Sequence, residues 1–319
     1  MNKKILLLAG ILALGATTFA AEGTRDFLDT FKDVMSPNEN ITGYWNQEIK
    51  GYTDTEGKDD RQMRLQNAIG LNLTDKVSVA LRTRTYMDYP GKNQKSDDNF
   101  RFDMTYNNGK IGDTELGFSQ RVRMYKAGSN AGTYSYRPNI DFSSYIGADY
   151  ADANIEYLYT RYTEGRDIKE GDVVIAHNSD DVQRFAYDID MGWTLGYGFS
   201  TEVELFGTVT TSNGDATESA LFLALYYDYN LYTSVDEATT LAFHTEVSVT
   251  PVKYNHQENM THTDSTLADT ETFIKLKHNV SNNFSTYGTV GLLTSDDFKT
   301  HTSNVGAQGY VSLGLSYSM

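Results

Sequence analysis

The chain of 319 residues carries 43 acidic against 27 basic side chains, a formal charge of −16, and contains no cysteine. An acid excess of that size repels a phosphate backbone and excludes nucleic acid as a partner, while the lack of cysteine excludes a disulfide framework. Four prolines, 26 glycines and 23 tyrosines suit many strands joined by tight turns. A mean hydropathy of −0.49 excludes a bundle of membrane helices, but it is compatible with a barrel whose strands are apolar on alternate residues only.

The first twenty residues read as a secretory leader. Asn2, Lys3 and Lys4 give a basic start, residues 5–16 an apolar run too short to cross a bilayer, and Thr18-Phe19-Ala20 a small-residue cleavage site. Cleavage after Ala20 removes Lys3 and Lys4 and leaves 25 basic against 43 acidic side chains. Residues 21–40 then form an N-terminal segment. Within it Phe27, Leu28, Phe31, Val34 and Met35 recur at helical spacing with acids between them, and Pro37 follows as a stop. The spacing predicts a short amphipathic helix over 24–35, either in the periplasm or folded into a lumen as a partial plug; a loosely ordered entry to the first strand is the other reading.

From Ile41 to the end the pattern changes to a period of two, which predicts an all-β fold: an antiparallel transmembrane β-barrel of about 14 strands over 41–319. In 62–73, Met63, Leu65, Ile69 and Leu71 alternate with Gln62, Arg64, Gln66 and Asn72, and Thr74-Asp75-Lys76 turns the chain into 77–87. The same alternation continues in 100–106 and 114–125, with Asn108-Gly109 between them. It is weaker in 134–142, where Pro138 sits awkwardly in a ladder, and in 153–162. The second half repeats it over 184–193, 199–210, 218–229, 239–250, 269–280, 284–294 and the terminal stretch. There Val311, Leu313, Leu315, Tyr317 and Met319 oppose Tyr310, Ser312, Gly314, Ser316 and Ser318. Tyrosines and Trp193 gather near strand ends, as a girdle at lipid headgroups requires.

Connections alternate between short and long, and the long ones are acidic. Residues 53–60, 88–99, 163–181 and 294–304 bring Asp54, Glu56, Asp59, Asp60, Asp97, Asp98, Asp180, Asp181, Asp296 and Asp297 to what is expected to be the external rim. They read either as a solvated acidic rim or as carboxylates bridged by divalent cations to lipopolysaccharide. No ordered calcium-loop spacing is present, and no metal centre or cofactor is expected.

If apolar faces meet lipid, the alternate residues line a lumen, and their charges are segregated. Arg64, Arg82, Arg84, Arg101, Arg121, Arg123 and Arg137 come from the early strands. Asp188, Asp190, Glu202, Glu204, Glu218, Asp228, Glu246, Asp269 and Glu271 come from the later ones, with Lys275 and Lys277 among them. A basic wall would then face an acidic one across water, unless acids such as Asp103, Glu115 and Asp141 pair with the arginines and cancel the field. Catalysis is not expected. His177-Asn178-Ser179 and His301-Thr302-Ser303 have a His-x-Ser spacing similar to that of the barrel phospholipases, but both fall in expected loops, and His262 near Asp264 is a chance proximity in so acidic a chain. His256 and His262 are expected in a solvated loop.

Taken together, the leader, the alternation from Ile41 onward and the ending Tyr317-Ser318-Met319 resemble a Gram-negative outer-membrane porin, similar in size and strand number to the monomeric outer membrane protein G type and in style to fusobacterial porins. Ser312, Gly314, Tyr317 and Met319 resemble the terminal signal by which such barrels are received by the outer-membrane assembly machinery, with Met319 departing from the usual aromatic ending. The resemblance implies export through the periplasm, surroundings of outer-membrane lipid and lipopolysaccharide, and passive diffusion of ions and small polar solutes. Two alternatives belong to the same scaffold: a channel for acidic oligosaccharides, using the arginines, and a surface adhesin displaying the acidic loops.

Overall fold

The computed structural model describes residues 41–53, 61–88, 99–127, 131–162, 166–170, 173–178, 181–210, 217–257, 260–264, 267–297 and 306–319. The expected leader and amphipathic helix lie outside these residues, as do His301 and most of the long acidic connections.

Fourteen strands form the barrel wall. Seven come first: β1 (Thr42–Tyr52), β2 (Arg61–Asn72), β3 (Val77–Asp88), β4 (Asn99–Lys110), β5 (Gly117–Ala127), β6 (Ala131–Asp141) and β7 (Tyr150–Tyr162). A separate hairpin, β8 (Arg166–Glu170) with β9 (Val173–Asn178), stands between β7 and β10 (Val182–Gly196). The wall continues with β11 (Phe199–Thr210), β12 (Thr217–Thr233), β13 (Thr239–Gln257), β15 (Leu267–Asn279), β16 (Phe284–Asp297) and β17 (Gly306–Ser318), and the short β14 (Met260–Asp264) pairs only with the far end of β13. Neighbours in sequence pair antiparallel, β12 joins β13, and β1 joins β17 from Tyr44↔Ser318 to Tyr52↔Tyr310, so the sheet closes on itself and no edge is left along the wall.

Register settles the faces, because residues directly opposed across a ladder share a side of the sheet. One side carries Ile49, Val122, Ile155, Leu225, Val247, Ile274, Val290 and Leu313, all large, apolar and exposed. The other carries Asp103, Ser135, Asn154, Glu156, Thr160, Ser248, Ser285, Thr289, Gln308 and Ser312, all polar and buried. That polar side is the inside. Lys50 on β1 reaches Glu271 on β15 at 3.6 Å, across β16 and β17, a reach that a concave surface shortens and a convex one lengthens.

Short turns close one end. Tyr197 and Gly198 have φ of 53° and 87° and join β10 to β11 in two residues, the positive-φ geometry whose twist matches the flanking strands. In the β2–β3 turn the Thr74 hydroxyl accepts from the amides of Lys76 and Val77 at 3.2 and 3.0 Å. A single helical turn, α1 (Ser143–Ile146), lies between β6 and β7.

Three local expectations are corrected, and a fourth, the awkward place of Pro138 in its ladder, holds. Residues 114–116 belong to a turn, with the Thr114 hydroxyl donating to the Ile111 carbonyl at 2.6 Å, and the strand begins at Gly117. Pro138 does lie within β6, but the β6–β7 register passes from Tyr136↔Tyr157 to Asn139↔Asn154, a gap where proline has no N–H to give. His256 and His262 lie in strands, opposite Thr261 and Asn255 respectively, because β13 runs on to residue 257 and pairs with β14. His177 likewise belongs to β9, opposite Asp167.

Candidate functional site

The inner face is the chemically distinctive surface. It carries acidic or basic side chains on every wall strand from β1 to β15 and titratable phenols on β16 and β17, and the period-two geometry of each strand puts them there. All seven arginines singled out from the sequence project from this face of β2 to β6, as the registers Gln66↔Arg84, Arg82↔Arg101, Asp103↔Arg123 and Arg121↔Arg137 require. The nine acids lie on the same face of β10, β11, β12, β13 and β15.

Arginines opposed to arginines repel, and carboxylates on the same strand, on the next one or on the one beyond it relieve most of them. Asp103 serves two, accepting from Arg101 Nε at 2.5 Å and from Arg123 Nε at 2.6 Å. Glu156 lies 3.3 Å from Arg121 Nη2 and also accepts from the Ser135 hydroxyl. Asp188 takes Arg137 at 3.2 Å, and Glu48 takes Arg64 at 2.5 Å. Asp103 therefore does pair with the arginines, whereas Glu115 pairs with Lys110 in the β4–β5 turn region and Asp141 accepts from the amide and hydroxyl of Ser143. Arg82 and Arg84 stand apart. Among the described residues no carboxylate lies within ion-pair distance of either; Arg84 Nε donates to Gln66 Oε1 at 2.6 Å, and Arg82 Nε is buried without an acceptor.

The acidic arc has few cations. Asp141, Asp152, Asp190 and Glu204 stand opposite one another in a row across β6, β7, β10 and β11, and Glu246 faces Glu271 across β13 and β15. Phenol hydroxyls hold two acids of this arc and one of β1: Tyr226 donates to Glu202 at 2.5 Å, Tyr310 to Glu271 at 2.6 Å and Tyr287 to Glu48 at 3.1 Å. Two of those rings lie over glycines. A Cβ at Gly314 would fall 2.1 Å from the Tyr287 ring, and one at Gly291 would fall 2.4 Å from the Tyr310 ring. Lys50 adds a cation over the Tyr310 ring, 3.5 Å from its centroid. Asp228 meets His244 Nδ1 at 2.7 Å, and the imidazole stacks on Phe273 with ring centroids 4.5 Å apart.

Glu48, Lys50, Asp152 and Glu156 escaped the sequence reading although the same alternation contains them: Glu156 stands between Ile155 and Tyr157, and Glu48 precedes Ile49. The tyrosine hydroxyl donors had no such signal, since a ring that lies across a neighbouring strand depends on which glycine the register brings beneath it.

No family model and no curated protein matches the chain. Solved structures do match. OmpT expressed in the outer membrane of Vibrio cholerae is 10% identical, with a TM-score of 0.39 over 88% of this chain and 97% of that one. BamA from Haemophilus ducreyi, lacking POTRA domains 1–3, is 9% identical with a TM-score of 0.44, over 87% of this chain and 71% of that one. The NanC porin is 9% identical with a TM-score of 0.37, over 86% of this chain and 100% of that one.

Proposed function

We propose that the chain is an outer-membrane porin through which ions and small hydrophilic solutes diffuse. The observation that carries this reading is the charged inner face of a closed barrel whose outer face is apolar. Moving an ion from water into a dry interior costs several kcal/mol even after relaxation, so a face bearing Asp190, Glu202, Glu204, Arg82 and Arg84 without opposite-charge partners among the described residues is stable only beside water. The outer face suits lipid. Phe199, Tyr227, Tyr229 and Phe243 cluster on it near the short-turn end and Tyr157 with Phe185 toward the other, two aromatic levels with an apolar band between.

Such a chain would be exported, received by the assembly machinery through its terminal strand, and surrounded by lipid and lipopolysaccharide. Inside, arginine charge is largely spent on Glu48, Asp103, Glu156 and Asp188, while Asp190, Glu202 and Glu204 have no ion pair among the described residues. Cations are accordingly favoured over anions. The same pairing disfavours a continuous arginine track for acidic oligosaccharides. Liposomes containing the refolded protein should swell in isosmotic solutions of small neutral sugars and not in those of a large polysaccharide; liposomes that exclude both would refute the porin.

A further inference from the structure

We infer that Arg82, Arg84 and the neighbouring Arg101 form a binding station for small oxyanions, phosphate or carboxylate, inside the barrel. The inference rests on the porin reading only in that the anion arrives through water in the lumen. Three observations converge on it. Arg82 and Arg84 are alternate residues of one strand, so their guanidinium groups rise from the same face with Cα atoms about 7 Å apart. Arg82 stands directly opposite Arg101, whose one carboxylate partner, Asp103, is shared with Arg123, so several positive groups surround one negative group. Finally, the buried Arg82 Nε has no acceptor among the described residues.

A guanidinium presents five N–H donors in a fixed fork, and an oxyanion accepts two of them in parallel. An anion between Arg82 and Arg84 would meet the Nη donors of both. Gln66 holds Arg84 in place through its carbonyl oxygen, and its amide N–H groups remain to donate. Ala68, opposite Arg82, offers no bulk against the approach. Elsewhere on this arc Glu48, Glu156 and Asp188 already occupy the position an anion would take, which confines the station to β3 and its two neighbours.

The test is calorimetric titration of the refolded full-length barrel in detergent at low ionic strength, with inorganic phosphate in one series and citrate in another. Binding in the millimolar range or tighter is expected for at least one probe. The Arg82→Gln/Arg84→Gln variant should bind at least tenfold more weakly, and a Lys277→Gln control on the far side of the same face should bind as the parent does. Removing unpaired like charges does not threaten folding, and Arg82→Lys, which keeps the charge but loses the fork, should weaken binding several-fold with the same heat-shifted band on a gel. Absence of binding in the parent, or equal binding in the parent and the double variant, would overturn the station. Bilayer recordings separate it from the porin reading. Conductance without phosphate binding refutes the station alone; phosphate binding lost in the double variant, without conductance, supports the station and refutes the pore.

Discussion

Gly314 shows how much a single position can decide. The Tyr287 ring lies on it and delivers its hydroxyl to Glu48, which in turn holds Arg64, so a chain of contacts runs from β16 over β17 to β1 and β2. A Gly314→Ala variant forces the ring away and should cost about 1–3 kcal/mol, seen as a lower temperature for loss of the compact band on a denaturing gel. At the short-turn end, Asp236 accepts from the Ser234 hydroxyl at 2.6 Å and from the Ala238 amide at 3.2 Å, bonds that hold its carboxyl below the ordinary range. A lowered folded value means that the stabilisation is present above the ordinary carboxylate pKa of about 3.9 and is lost as pH falls through the folded one. Protection of the Thr239 amide, which donates to the Ser234 hydroxyl, measured against its intrinsic exchange rate at each pH, should therefore fall on acidification below about pH 4, and Asp236→Ala should abolish that dependence. Most charged residues on the inner face were legible one by one in the sequence. Their partners were not, because Arg121 to Glu156 and Arg137 to Asp188 each cross an intervening strand, a relation that curvature creates and linear spacing does not encode.

At the scale of elements, the seam between the first and last strands makes the barrel a closed object. It is paired in backbone register and braced from inside by Lys50 with Glu271 and Tyr287 with Glu48. Cysteines at Ile49 and Leu313, which face each other across the seam, should form a disulfide readily on oxidation of the folded protein. The combination of Ile49→Cys with Val290→Cys, one strand further, should not, since adjacent strands lie about 4.8 Å apart and a second spacing exceeds disulfide reach. Equal crosslinking of both pairs would refute the register. Strand existence was readable throughout because the period of two persists wherever one face is apolar, including the weak stretch around Pro138. Strand length was not. β13 runs 19 residues, to Gln257, and continues into β14 through Asn255 and His262, where polar side chains follow one another and no apolar face marks the sheet.

For the molecule as a whole, the arrangement of charge is the functional statement: an arginine arc on β2 to β6, mostly neutralised, and a carboxylate arc on β10 to β15, mostly not. Glu202→Gln/Glu204→Gln removes two carboxylates without ion pairs among the described residues and should shift the reversal potential under a salt gradient toward that of an unselective pore, with unitary conductance largely kept. The two arcs could be drawn from the sequence, since alternation fixes the face; the residual sign of the lumen could not, because it depends on which arginines find a carboxylate. The measurement that bears most directly on the central claim is single-channel current of the refolded protein in a planar bilayer under a potassium chloride gradient. Discrete conductance steps with a reversal potential of cation sign are expected. A folded, inserted barrel that never conducts would contradict the open pore, and a reversal potential of anion sign would contradict the assignment of the unpaired carboxylates as the dominant charge.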